Sequence, residues 1–446
     1  MTNMKINETA ARDLIGESKI NKLHFTVFIL CFFTIMGEGY DINLYGAVLP
    51  ILVKDWSLSS VQAGLIGSYG MVGMMLGSII FGWLADKYGR KKMIVISSAF
   101  YSLFTALCGS APGVTFFSCF RFLAGMGIGG VLPNVIALAT DYSPKNRQSM
   151  MVSIMLCGMQ VGGILGPAAS IATMDTYGWH AALWLGGIPL LLIPVMLRFM
   201  PDSIGYLIRQ RKTEKVRSIL HTIRPDSDWS EIELADEEID GATTVAKAKP
   251  GLKSLFQAGR GINTVMFCAA YFMTLLMVYG LGTWMPELMI RTGYSISAGL
   301  IFPMLMNAGC ICGTFLFAVI ADKYLAPKKL LVLLYLTAAI SLAVIGIKVP
   351  SAVQYFLACL IGAGTSGTQN IANAFVSRYY PSSVRSTGLG LCNGIGRAGA
   401  IFGTAFWGVL LAWNLPLYVD FLVFAIPALI AAASYFIARE TTSAPA

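Results

Sequence analysis

The sequence predicts an all-α membrane protein of twelve transmembrane helices in two six-helix pseudo-repeats. Three observations predict it: a composition starved of charge, long apolar runs recurring along the whole chain, and motifs that return in the second half. Hydrophobic residues make up 56% of the 446 residues and charged residues 12%, about half the 25% or so of a soluble domain. Each apolar run of eighteen or more residues can cross a hydrocarbon core of about 30 Å. Ala85-Asp86-Lys87-Tyr88 returns as Ala321-Asp322-Lys323-Tyr324, Pro50 returns as Pro286, and Tyr142-Ser-Pro144 returns as Tyr380-Pro381. Two parallel six-helix repeats with a site between them at mid-membrane are an established transporter architecture.

A polar segment, 1–22, comes first. It is followed by an apolar run longer than a signal-peptide h-region, so no cleavable leader is expected. The first bundle occupies 23–200, with spans at about 24–52, 61–84, 93–111, 114–139, 148–173 and 180–200. The second occupies 260–438, with spans at about 261–289, 296–320, 328–347, 352–377, 386–412 and 416–437. Between them, 201–259 is polar and mixed in charge (Glu231, Glu233, Asp236, Glu237, Glu238). It reads as a solvated connector with one or two amphipathic surface helices. Residues 439–446 form a short tail.

Orientation follows from the bias of Lys and Arg toward cytoplasmic loops. The N-terminus carries Lys5, Arg12, Lys19 and Lys22, and the even loops carry Lys87, Arg90, Lys91 and Lys92, then Lys145 and Arg147, Lys323, Lys328 and Lys329, and Arg378 and Arg385. The odd loops hold only Lys54, Arg291 and Lys348. Both termini are therefore expected in the cytoplasm, and the chain in the inner (plasma) membrane. The net charge of +9 is mostly this topogenic signal, and no nucleic-acid partner is implied. All nine cysteines lie in or beside apolar stretches and read as small core residues rather than disulfides or metal ligands.

Four charges interrupt the spans: Glu38, Asp41, Arg121 and Arg397. A charge at the centre of a spanning helix costs about 2.5–3.5 kcal/mol on insertion scales and is rarely left without a partner or a task. At about 1.5 Å per residue the four fall near one depth, Glu38 and Asp41 about 20–25 Å from the cytoplasmic side, Arg397 about 17 Å and Arg121 about 20 Å. Glu38 and Asp41 are three residues apart and share a helix face, which Tyr45 continues. Two carboxylates so close in a low dielectric do not both ionise easily, which makes the pair a proton site. The alternative is that they only pair with the arginines to lock helices together. Arg397 is the favoured partner for a substrate carboxylate, because a guanidinium binds it bidentately and stays charged. Arg121 either does the same or neutralises the acidic pair. Glycines at 388, 390, 394, 396 and 399 surround Arg397 and read first as close helix packing.

The segment Gly82-Trp-Leu-Ala-Asp86-Lys-Tyr-Gly89-Arg90-Lys91-Lys92, with its degenerate copy Phe317-Ala-Val-Ile-Ala-Asp322-Lys-Tyr, resembles the loop signature of the major facilitator superfamily. Glu38-Gly39-Tyr40-Asp41…Gly46…Pro50, Arg385-Ser-Thr-Gly388…Gly394-Ile-Gly396-Arg397 and Thr283-Trp284-Met-Pro286 are similar to the aromatic acid:proton symporters, carriers of benzoate and hydroxybenzoate type. The resemblance covers almost the whole chain. It implies the major facilitator fold, an aromatic carboxylate as substrate, and a role for Asp86 and Arg90 in the inner gate. One departure is Glu38, where the family usually has Asp; the extra methylene bears on substrate preference.

Gln160, Asn307, Gln369, Asn370 and Asn373 are polar residues within spans and can complete a pocket, with Tyr45, Tyr279, Trp284 and Trp407 as flanking rings. Helix–helix contact is the competing role for each. The expected function is import of a small organic anion by proton symport with alternating access, in a monomer surrounded by lipid, without cofactor or metal. A proton-driven exporter of the same fold is the alternative, prompted by Gly158…Gly162-Gly163…Gly166-Pro167 in span five. A non-transporting sensor is the third class, and only the long connector speaks for it. No nucleophile–base set supports an enzyme.

Overall fold

A computed structural model describes residues 4–225, 229, 232–234, 252–257, 259–347, 349–381 and 384–439. Glu231, Asp236, Glu237, Glu238 and Lys348, named above, lie outside them. The chain begins with β1 (Met4–Ile6) and α1 (Glu8–Gly16) and then enters the long helices α2 (Lys22–Asp55), α3 (Ser60–Tyr88), α4 (Arg90–Cys108), α5 (Val114–Asp141) and α6 (Gln148–Leu185). A 3-10 turn at Ile188–Leu192 leads into α7 (Ile193–Phe199). The connector contributes α8 (Ile204–Arg209), α9 (Thr213–Ile223) and β2 (Ile232–Leu234). The rest comprises α10 (Gly261–Arg291), α11 (Ile296–Lys323), α12 (Pro327–Ile345), α13 (Ser351–Gly364), α14 (Gln369–Tyr379), α15 (Arg385–Ala412) and α16 (Leu417–Ile437).

Ten of the described helices are long and apolar enough to cross a bilayer. The other two expected spans are built from pieces. Residues 180–200 were expected as a continuous span. The break before it is at Gly178, whose φ of 71° lies outside the helical region, and a 3-10 turn then interrupts it at Ile188–Leu192. Pro189 and Pro194 each lack the N–H a continuous helix needs. The span expected at 352–377 is split at Thr365 (φ −107°, ψ −82°) into α13 and α14, with a 3-10 turn at Ser366–Thr368.

By packing, the chain divides into two units. The first holds Met1–Gly39, Val72–Gly162 and Leu183–Val245. In it α5 lies against both α3 and α4: Gly129 faces the Met74 carbonyl of α3, and Gly127 faces Ser97 and Tyr101 of α4. The α3–α4 turn needs Gly89, at φ 95°, because that region carries a penalty for any residue with a Cβ. The Asp202 carboxylate fills the space beside it and accepts from the Lys91 amide at 3.3 Å.

The second unit holds Tyr40–Met71, Gly163–Ala182 and Ala246–Ala446. It joins the later part of α2, the first part of α3 and a stretch of α6 to α10–α16. The Ser68 hydroxyl bonds the Ile401 carbonyl at 2.7 Å and the Thr404 hydroxyl at 2.6 Å, and the Trp284 indole donates to the Thr404 carbonyl at 3.0 Å. Helices here meet backbone to backbone, which small residues allow.

The connector carries the short helices expected of it, and its described residues pack with the N-terminal segment. β1 pairs in parallel with β2, Met4 opposite Ile232. α9 turns Val216, Ile219, Leu220 and Ile223 inward, while Ala11, Ile15 and Gly16 are the buried positions of α1. Separately, each element is too short to be stable; together they make a small folded module on the first unit.

The glycine cluster of α15 yields a test of packing. A Cβ at Gly399 would stand 2.3–3.1 Å from the Phe272 backbone of α10, whereas at Gly394 nothing lies within 4 Å. Gly399→Ala should therefore destabilise by about 1–3 kcal/mol through overpacking. Gly394→Ala should be neutral or stabilise by up to about 1 kcal/mol through helix propensity. Thermal unfolding of the purified variants checks this, and equal shifts of the same sign would contradict it.

Candidate functional site

α2 carries two carboxylates one turn apart, and both are buried: Glu38 is 0% exposed and Asp41 1%. α6 closes on this stretch. Gly39 lets the Met159 backbone of α6 approach to a distance that no side chain would tolerate, which brings the neighbouring Gln160, half-buried, to the acidic turn. The Tyr40 hydroxyl donates to the Ala182 carbonyl at 2.6 Å and fixes the rotation of the helix between the two acids. In α5, Arg121 is 2% exposed, one residue before Phe122, whose carbonyl lies against Gly73 of α3. Glu38, Asp41 and Arg121 all have interaction partners within the protein.

Arg397 differs. It is half-buried in mid-helix, and among the described residues no hydrogen bond or ion pair engages its guanidinium. Gly396 and Gly399 face α10, whereas a Cβ at Gly390 or Gly394 would meet nothing within 4 Å. Positions 390, 394 and 397 are spaced by four and three, so they share one helix face. Asn393, one turn before Arg397, is exposed, with its amide nitrogen donating to the Leu389 carbonyl at 2.9 Å. A polar, open strip thus leads along α15 to an uncompensated cation. Sequence reasoning passed over Asn393; its place four residues before Arg397 is the signal that could have found it.

The polar residues expected to complete a pocket separate into two groups. Asn307 of α11 donates to the Asn43 side-chain oxygen at 3.3 Å and to the Pro303 carbonyl at 2.8 Å, and its amide occupies the place a side chain at Gly163 would need. Asn43 lies two residues after Asp41 and sequence reasoning passed over it. Gln369 is half-buried and Asn370 exposed at the start of α14, directly after the break. Asn373 accepts from the Tyr271 hydroxyl at 2.6 Å. The aromatics form the second group. Tyr45 is buried, its hydroxyl donating to the Ala63 carbonyl at 2.5 Å. Trp284 and Trp407 are wholly buried, and the Trp407 ring stacks on Phe424 with centroids 3.6 Å apart. Tyr45 and the two tryptophans hold helices together; Tyr279 is half-buried on α10.

At the end of the bundle carrying the basic loops, Arg90 donates to the Asp141 carboxylate at 2.5 Å and to the Ala137 carbonyl at 3.2 Å. Asp86 is exposed and has no ion-pair partner among the described residues. Asp141, whose side chain is 5% exposed, is the acid that organises this region. Its place as the last residue of α5, before the Tyr-Ser-Pro segment, is the sequence signal for it.

The Major Facilitator Superfamily model matches residues 28–404 and 308–446. The chain is 39% identical to the benzoate transport protein of Acinetobacter baylyi, over 97% of this chain and 93% of that one. It is 31% identical to the 4-hydroxybenzoate transporter PcaK of the same organism, over 96% and 93%. It is 32% identical to the gentisate transporter of Corynebacterium glutamicum, over 91% and 85%. Among solved structures, an inward-facing, occupied bacterial homologue of the human lysosomal transporter Spinster superposes with a TM-score of 0.73 at 15% identity, covering 94% of this chain and 97% of that one. A D-xylose–proton symporter gives 0.71 at 16%, covering 94% and 98%. These likenesses agree with the helical order and with the loop signature around Arg90. The chain is a multi-pass membrane transporter rather than an enzyme, and it belongs to the Major Facilitator Superfamily, with aromatic acid carriers as its relatives.

Proposed function

We propose that this protein imports a small aromatic carboxylate of the benzoate class by proton symport with alternating access. The observation that carries the reading is Arg397, a guanidinium in mid-span with an open approach and no protein partner among the described residues. Its anion is supplied by the substrate, whose carboxylate takes the bidentate place a protein acid would otherwise fill. Asn393 shares the approach on α15, Gln369 and Asn370 are the candidate polar partners on α14, and Gln160, Asn307 and Asn43 supply the other neutral polar groups. Tyr45 supports that turn by tying α2 to α3. Arg121, buried deeper than Arg397, serves the acidic pair and is the second candidate for the substrate carboxylate. The names of the relatives, carriers of benzoate, 4-hydroxybenzoate and gentisate, support an aromatic acid.

Asp41 and Glu38 carry the proton. An anion entering a site that already holds two carboxylates is repelled until one is neutralised, so proton and substrate bind together. Arg90, held by Asp141, and Asp86 belong to the inner gate. Alternating access between the repeats 23–200 and 260–438 is the cycle expected of a carrier built from parallel repeats. The chain works as a monomer in the inner membrane with both termini in the cytoplasm. A proton-driven exporter of the same fold is the alternative; its motif in α6 lacks a glycine pair after Pro167, and Gly158 and Gly163 also pack against Phe32 and Asn307.

Two outcomes are expected in proteoliposomes. Arg397→Ala should abolish saturable benzoate binding, and Arg397→Lys, which keeps charge but loses the planar fork, should weaken it by about tenfold or more. Unchanged affinity in a correctly inserted Arg397→Ala would transfer the role to Arg121. Asp41→Asn should abolish uptake driven by an inward proton gradient while the protein remains folded. Gradient-driven accumulation at the wild-type rate in that variant would remove Asp41 from the coupling step.

A further inference from the structure

The N-terminal segment is folded, and its contacts reach the residue that holds Arg90. Asp141 receives three donors. Arg90 and the Ser203 hydroxyl share Oδ2, at 2.5 and 2.7 Å. Oδ1 takes Arg12 of α1, at 3.3 Å. The Glu8 carboxylate bridges Arg12 at 2.8 Å and Arg209 of α8 at 3.1 Å, and it occupies the place a side chain at Gly205 would need. At the other end of α1, Asp13 pairs with Lys145 at 2.6 Å, and the Lys145 amide donates to the Gly16 carbonyl at 2.8 Å. Glu17 pairs with Arg224 at 3.2 Å, and the Asn21 amide donates to the Thr222 carbonyl at 3.0 Å. α1 thus bridges the α5–α6 turn and the beginning of the connector.

We propose that α1 is a positioning element of the transport cycle: docked on the basic end of the first unit, Arg12 and Asp13 fix the Asp141 carboxylate and the α5–α6 turn, and through them Arg90. This rests on the carrier reading. Three features make the docking reversible. α1 has nine residues, below the length of about 12–15 at which a helix is even marginally stable alone, so undocking also unfolds it. Its side-chain polar contacts are ion pairs with exposed cations, which salt screens, and the apolar side chains it buries are only Ala11 and Ile15. A cavity of about 320 Å³ lined by Thr9, Arg12, Asp13, Thr140, Asp141 and Lys145 opens beside the contact. The Asp141 side chain is only 5% exposed at its edge, so losing one of its donors is felt at the other two.

A merely structural appendage would affect stability alone, so the test separates the two. Full-length wild type, Arg12→Ala, Asp13→Lys, Lys145→Asp and the Asp13→Lys/Lys145→Asp swap are reconstituted in lipid. Hydrogen exchange is followed for 8–16 and 138–147, with benzoate binding at equilibrium and uptake kinetics in parallel. The single variants should raise exchange in both segments by about tenfold or more. They should also lower the maximal rate by about threefold or more with benzoate affinity unchanged. The swap should restore both. Faster exchange confined to 8–16, or a maximal rate unchanged while α1 is undocked, overturns the proposal. If wild type takes up no aromatic acid, the carrier reading fails, and the exchange of 138–147 still decides whether α1 holds the turn.

Discussion

Charge held inside hydrocarbon is the constraint on which the rest of this structure depends. Glu38, Asp41 and Arg121 are all but excluded from solvent, and each would be expelled from an isolated spanning helix at a cost of a few kcal/mol. The surrounding helices make these positions tolerable. α6 approaches α2 at Gly39, α3 approaches α5 at Gly73 and Gly129, and the backbones crowd around the charged turns. Arg397 is the exception: it is half-buried in mid-helix, and among the described residues no ion pair engages it. On the function proposed above, the substrate supplies its anion.

The same close packing explains why so few side chains remain for the substrate. Tyr45, Trp284 and Trp407 are large and aromatic, and an aromatic acid would suit them, yet their polar atoms are committed to carbonyls of neighbouring helices. What remains open is small and polar: Gly390, Gly394, Asn393 and the start of α14 after its break. On the function proposed above, such a site recognises a carboxylate by charge and leaves discrimination among rings to a few amide groups.

Much of this was legible in the sequence. Apolar run length located ten helices, because hydrocarbon thickness and helical rise dictate it, and the four charges within spans stood out for the same reason. The first broken span carried a signal that was passed over, Gly178, Pro189 and Pro194, whereas the break at Thr365 lies in backbone angles that composition does not encode. Asn43 and Asp141 were missed because each acquires its role from a partner far along the chain, Asn307 in one case and Arg90 in the other. The packing of the N-terminal segment was not read from the sequence: its residues are polar, and Glu8, Arg12 and Asp13 are paired with α5, α8 and the α5–α6 turn. Polarity reports hydration only when no complementary charge lies within reach, and reach is a property of the fold.

The claim that binds these features together is that the anion enters only with a proton. Calorimetric titration of benzoate into the purified protein, in buffers of different ionisation enthalpy, measures the protons exchanged on binding. The account predicts uptake of about one proton per benzoate near neutral pH. Binding of benzoate with no net proton uptake across the same pH range would contradict it.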